Sequence, residues 1–573
     1  MRVELRPIRR LALALSLALW GAAAGAQSLP YADTIGGAPS AAVPASGVSY
    51  APPAGDDSRA APEAAQPRRA RHSRVRIDPY VEVDQAISAE LSSGDTLTYT
   101  NLAVGVDGSI QRRHVAVAVS YRYDRQIGWN RDTTDQDSHS GLAIVHVEAA
   151  PGLLDLDAGA FATRTGGSGR FFGLTGQDPA IDVYSFFAGP TLSTHAGPLA
   201  VNAAYRFGYT AIDDHLDGFG LVDGFDHSTT HNATASVGMG PGRLPFGWTI
   251  GAGYLRSTTD SPFDDRFHAG YVRGDIVLPI SPTLALTAGI GYENIKAGQN
   301  DIARNSDGSP VIGGDGLAVV DPSRRILTYD IDDLIYDGGI IWKPSVHTQL
   351  EIRAGHRNGG TTVVGSFTHQ FNSHYGMNVQ VFDTVETFGN ILVNDLSSLP
   401  TDFQVARNPF TGDIGGCAFG SAPGSGGCFD RSLQSIRGAT FRMRGVSGVI
   451  SGNRGLWDLG IGASYVRRDF SRGDASPFVT FGGDEDQTAT VYGSIGRRLS
   501  RVSQVNFDVY ASWYDADDPG LGSITTFGGN IGYTRRLLVD RLQFLAALGL
   551  YHSNQNGNGS SVASALLGLR YNF

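Results

Sequence analysis

Leu199-Ala200-Val201-Asn202-Ala203-Ala204-Tyr205-Arg206-Phe207-Gly208-Tyr209 alternates without a break. The odd-numbered residues are apolar or aromatic, the even-numbered ones small or polar. A period of two places each set on its own side of an extended strand. The same pattern returns with Val115, Val117, Val119, Tyr121 and Tyr123, with Trp457, Leu459, Ile461, Ala463 and Tyr465, and with Val505, Phe507, Val509, Ala511 and Trp513. A soluble sandwich also alternates, but two features argue against one. The apolar runs often finish in aromatics, as interfacial girdles do, and each run is about 10 residues long, the span of a tilted strand across a bilayer.

The connections give the topology. Short ones fall at Gln111-Arg112-Arg113-His114, Pro151-Gly152, Ala196-Gly197-Pro198, residues 241–245, Ser281-Pro282-Thr283, residues 343–347, Gly452-Asn453-Arg454, residues 500–503 and residues 538–541. Between them lie longer Gly- and Asp-rich segments, such as 211–228, 295–328 and 383–437. Alternating tight turns and long loops predict an all-β transmembrane antiparallel barrel with its tight turns in the periplasm. A walk along residues 75–573 gives about 22 strands, eighteen to twenty-four being acceptable, with both termini periplasmic. The least certain strands lie near 330–342 and 361–382. Only two lysines, Lys296 and Lys343, and 75 glycines in 573 residues suit many short strands better than helices.

The short side is basic, with Arg112, Arg113, Arg243, Arg454, Arg497, Arg498, Arg501, Arg535 and Arg536. The long side is acidic: Asp132, Asp135, Asp137, Asp213, Asp214, Asp217, Asp223, Asp226, Asp484, Glu485, Asp486, Asp515, Asp517 and Asp518. Most of the net charge of −11 is therefore expected outside the cell. Clustered carboxylates offer oxygens for divalent cations that bridge to lipopolysaccharide, but a solvated, self-repelling loop surface is the simpler account. Outer-membrane lipid and lipopolysaccharide are the expected surroundings. Nothing points to nucleic acid or to a cofactor.

The chain opens with Arg2, Arg6, Arg9 and Arg10, then the apolar run from Leu11 to Trp20, then Ala24-Gly25-Ala26. This is the pattern of a secretory signal peptide over residues 1–26, cleaved at the site formed by Ala24 and Ala26. Residues 27–74, rich in Ala, Pro, Gly and Ser, predict a disordered periplasmic leader. The leader is too short and unpatterned for a folded plug of the TonB-dependent kind.

At the other end, Leu567, Leu569, Tyr571 and Phe573 share one face, opposite Arg570 and Asn572. A strand that finishes flush with the chain is suited to close a barrel by pairing with the first. Gly568, Tyr571 and Phe573 resemble the C-terminal β-signal of outer-membrane barrels. That resemblance implies recognition by the barrel-assembly machinery and places Phe573 toward lipid at the periplasmic rim.

Cys417 and Cys428 are the only cysteines, with ten residues between them in the 383–437 loop. In an oxidising envelope an even, close pair predicts a disulfide. The pairs Gly251/Gly253, Gly289/Gly291 and Gly460/Gly462 do not complete a nucleotide loop and are expected as small residues relieving crowding in strands. No H-E-x-x-H, G-x-S-x-G or P-loop is present, and no enzyme is expected. On the polar face stand Glu82, Asp84, Arg122, Asp124, Arg206, Glu293, Glu351, Arg353, Arg357, Asp458 and Asp508, which either line a charged path or salt-bridge a packed interior. A barrel of about 22 strands is too wide for its own side chains to fill. The 383–437 loop, stiffened by its disulfide, is the expected constriction.

Three stretches, Arg76-Ile77-Asp78-Pro79-Tyr80-Val81-Glu82-Val83, residues 184–198 and residues 201–209, resemble a family of proteobacterial outer-membrane barrels associated with exopolysaccharide and PEP-CTERM protein-sorting loci. The resemblance runs from Arg76 to Phe573 and implies an outer-membrane location with a role near surface polysaccharide. Relatives also carry a preprotein-translocase-subunit label, yet such a subunit is a small protein with one helical anchor, which this sequence does not describe. Three functional readings follow: a porin-like or polysaccharide-related conduit, a surface-structural or recognition barrel with a blocked lumen, and, third, an outer-membrane hydrolase.

Overall fold

The computed structural model describes residues 74–573, apart from 130–134, 166–180, 215–224, 315–318, 471–484, 518–521 and 539–540. Residues 1–73, which include Ala24 and Ala26 and all of the expected leader but Arg74, the first residue of the first strand, lie outside the described residues. Twenty-two antiparallel strands form one sheet in which each strand pairs with the next along the chain. The first, Arg74–Glu90, pairs with the last, Asn558–Asn572, and closes the barrel. Closure satisfies both edges, the condition for an extended chain to cross hydrocarbon.

Alternation sorts the faces as the sequence predicts. Along the first strand Val75, Ile77, Val81, Val83 and Ile87 are exposed, while Tyr80, Glu82, Asp84, Ala86 and Ser88 are buried. The same holds for Leu567, Leu569, Tyr571 and Phe573 on the outside of the last strand, with Arg570 turned in to Asp107 at 2.7 Å. Aromatic bands flank this apolar surface. Phe186, Phe207, Tyr209 and Phe527 lie toward the long loops, and Trp342, Phe371, Trp457 and Phe573 toward the tight turns. An apolar exterior between two aromatic girdles belongs in a bilayer.

Three details differ from the sequence expectation. Strands run from 10 residues at Thr348–Arg357 to 26 at Val320–Ser345, so many exceed the length needed to span the membrane. They carry on beyond the bilayer, which is why much of the expected 295–328 loop is paired strand between Leu284–Ile302 and Val320–Ser345. The uncertain 361–382 region is a hairpin of Gly360–Gln370 and Tyr375–Glu386, and the turn expected at Gly452-Asn453-Arg454 falls at Gly455-Leu456. Short and long do not alternate everywhere. Asn358-Gly359 and Asn556-Gly557 make two-residue turns on the long-loop side, with φ of 55°, 69°, 53° and 90°. Positive φ at both central residues is the type I′ hairpin geometry that Asn-Gly favours.

The connection between Tyr375–Glu386 and the next barrel strand, Phe441–Arg454, does not project outward. Glu386 and Phe441 are register partners, and residues 387–440 fold back into the lumen.

Candidate functional site: a folded plug in the lumen

The inward segment starts with a helix, Phe388–Ser397. Its apolar side chains Phe388, Leu392, Val393 and Leu396 are almost fully buried against Leu142, Phe161, Val183 and Phe187 of the wall. The helix has no side-chain N-cap bond, because Thr387 donates its hydroxyl to Ser257 of the wall at 3.1 Å instead. A three-stranded sheet follows: Gln404–Arg407, Ile414–Phe419 and Gly426–Cys428. Cys417 and Cys428 face each other across its second pair and are joined by a disulfide. A single helical turn, Asp430–Leu433, leads back to the barrel.

The wall is shaped to receive this plug. A Cβ at Gly208 would collide with Val393, one at Gly460 with the Phe419 ring, and one at Gly462 with the disulfide sulfurs. The expected small residues thus have particular occupants. Gly253 and Gly289 make room for wall residues, the Tyr271 ring and the Arg273 guanidinium.

Polar contacts pin the plug over the whole height of the barrel. Arg407 donates to the Ser120 hydroxyl and carbonyl at 3.1 Å each and also reaches Ser140. Ser140 donates to the Gly412 carbonyl at 2.9 Å, and Tyr99 to the Phe410 carbonyl at 3.3 Å. Near the tight turns, Gln111 donates to the Thr401 carbonyl at 3.1 Å and the Gly424 amide to the Ser451 carbonyl at 3.1 Å. Toward the outer end, Arg468 donates to the Ser435 carbonyl at 2.9 Å.

The lumenal charges are engaged with one another. Arg122 reaches Glu82, Asp124 at 2.7 Å and Asp84 at 3.4 Å. Arg353 bonds Asp275 at 2.7 Å, Glu351 at 3.1 Å and Asp337 at 3.2 Å, and Arg273 joins Asp275 and Asp337. Arg357 lies 3.5 Å from Glu293 and over the Tyr271 ring. Asp508 accepts from the Tyr492 hydroxyl at 3.0 Å. Arg206 and Asp458 are on the same inward face, half-buried. Of the two sequence readings, a salt-bridged interior describes these residues better than a free charged path. Each such group costs several kcal/mol to desolvate alone, so pairing is what permits its burial. Sequence reading missed Arg273, Asp275, Asp337 and Arg407. The first three sit at alternate, polar-face positions and were legible; Arg407 lies in the plug, where no period exists to assign its side.

Inside the plug, burial pushes Asp413 up to about 7 and raises Asp395, the latter opposed by Arg431. Between plug and wall lies a cleft lined by Asn378, Gln380, Ser398, Ser447, Ser464 and the Asp395–Arg431 pair. Among the described residues no group of three or more His, Cys, Asp or Glu is placed to hold a metal.

A closed 22-strand barrel with an apolar, aromatic-girdled exterior and a plug folded in from one outer loop defines an outer-membrane β-barrel protein. No protein-family model matches the chain, and no curated protein does. Solved structures similar to it include the FrpB iron transporter of Neisseria meningitidis, at 10% identity over 87% of this chain and 81% of that one, TM-score 0.45. The ferric-catecholate import receptor Fiu of Escherichia coli K12 aligns at 10% identity over 86% and 82%, TM-score 0.41. The siderophore receptor PiuA of Acinetobacter baumannii aligns at 10% identity over 86% and 82%, TM-score 0.42. The likeness is one of barrel architecture.

Proposed function

We propose that the protein is a constricted conduit for small hydrophilic solutes across the outer membrane. The observation that carries this reading is the plug of residues 387–440, which narrows the lumen while leaving a cleft of amides and hydroxyls against the wall. A lining of amides and hydroxyls whose one acid and one base are paired with each other replaces part of a solute's hydration without trapping it, the balance that conduction requires. The test is single-channel recording in planar bilayers. The full chain is expected to give small, discrete steps, and a variant in which a short turn replaces residues 388–439 several-fold larger ones. Silence in both would reject the conduit and favour a recognition barrel.

The solute class we favour is carbohydrate, in keeping with the resemblance to barrels associated with exopolysaccharide loci. Asn378, Gln380 and Ser447, with the mutually paired Asp395 and Arg431, offer donors and acceptors together, which suits sugar hydroxyls. Neutral oligosaccharides are expected to block the current reversibly at concentrations where isosmotic glycerol does not. Equal effects of the two would remove this assignment.

A further inference from the structure

On the outside of the barrel, five consecutive strands carry one row of side chains in direct register. His231 is paired with Arg256, Arg256 with His268, His268 with Lys296, and Lys296 with Asp330. Their chain neighbours Thr230, Ser257, Phe267 and Ile295 are buried on the lumenal side, so the row points outward. His231, Arg256 and His268 are exposed.

Arg256 and Lys296 are the two permanent cations of the row, two strands apart with the His268 imidazole between them. Side-chain partners are found only toward the ends of the row. The Lys296 ammonium lies 3.7 Å from Asp330, and His231 is hydrogen-bonded to the Tyr205 hydroxyl at 2.8 Å. Arg256 and His268 have no hydrogen-bond or ion-pair partner among the described residues. The next cation outward, Arg266, is held by Asp264 at 2.7 Å and stands apart from the row.

The depth of Arg256 is informative. Eight residues separate Trp248, at the tight-turn end, from Arg256; at ~3.4 Å per residue and a tilt of ~40° this is roughly 21 Å of height, close to the outer edge of a ~25 Å apolar band. Exposed Tyr254 lies two residues below Arg256 on its strand, exposed Tyr292 and Val272 face each other two residues further down, and Ile290 and Ile276 lie deeper still. One of the two lysines in the chain stands in this row.

We propose that Arg256, His268 and Lys296 form a binding site for the phosphate of a phosphorylated glycolipid headgroup in the outer leaflet. Arg256 offers a planar fork to phosphate oxygens, and Lys296, two strands away at about 10 Å, offers a second charge. The tyrosines below meet the upper acyl chain, and the anion gives the Arg256 guanidinium a partner.

The test uses the full chain in phosphatidylcholine vesicles doped with diphosphorylated lipid A or its dephosphorylated form, with bound lipid counted after extraction. The wild type is expected to retain the phosphorylated form at least fivefold over the other. R256Q/K296Q should lose that preference, and R266Q should keep it, each barrel verified by its heat-modifiable gel mobility. Equal retention of both lipids by the wild type overturns the proposal without reference to any variant. An unchanged preference in R256Q/K296Q also overturns it, as does displacement by equimolar inorganic phosphate, which marks a free-anion site.

Discussion

Gly568 faces Asp84 across the seam where the last strand meets the first, and a Cβ at 568 would fall on the Asp84 carboxylate. The glycine of the terminal motif therefore has a local steric reason, independent of any machinery that reads it. Gly568→Ala is expected to lower the yield of folded barrel, at a cost of about 1–3 kcal/mol for overpacking. Asp84→Ala in the same chain should restore most of the yield. Folded and unfolded fractions on unheated gels measure both.

Phe573 lies outside the seam, exposed, with its ring against Tyr571. Phe573→Ser is expected to impair membrane assembly far more than conductance of those barrels that do insert. Normal insertion levels in cells would contradict the role given to this ending.

Arg122 is buried among Glu82, Asp84 and Asp124. Arg122→Met leaves three carboxylates without their cation and should destabilise the barrel by about 3–5 kcal/mol. The melting temperature in detergent is expected to drop clearly, whereas Arg266→Met, at an exposed pair, should change it little.

The Cys417–Cys428 disulfide holds two strands of the plug sheet. In the chain-entropy account a closed loop this short contributes about 2–3 kcal/mol. Cys417→Ala/Cys428→Ala should therefore leave the barrel intact but increase current noise and protease access to the plug. The same change on adding reductant to the wild type completes the check.

Asp413 is buried between plug and wall, within the fields of Arg164, Asp124 and Asp182, and its pKa is pushed up to about 7. A raised carboxylate pKa favours docking fully below the ordinary carboxylate value near 4, and that contribution is lost as pH rises through about 7. Protease resistance of the plug is accordingly expected to be several-fold higher at pH 5 than at pH 8. Asp413→Asn should flatten the dependence, and an unchanged pH profile in that variant would refute the assignment.

The barrel was legible in the sequence because each strand is a local pattern. A period of two is visible in residues 199–209 without knowing their neighbours, and closing the barrel needs only that every strand have one. The plug was legible in its place and its disulfide but not in its architecture. Its helix, Phe388–Ser397, lies in a segment whose Gly and Asp content reads as loop, and tertiary burial overrides that composition. The ion pairs were half legible. Sequence placed Arg353 on the polar face, but its bond to Asp275 depends on strands separated by an intervening hairpin.

Glu386 and Phe441 already face each other in the wall, so the chain leaves and re-enters the barrel at a single rung. The interior is thus a cassette spliced into one hairpin. It can be shortened or removed without altering a single wall pairing, and what such a change would undo is the fit of Gly208, Gly460 and Gly462 to their occupants.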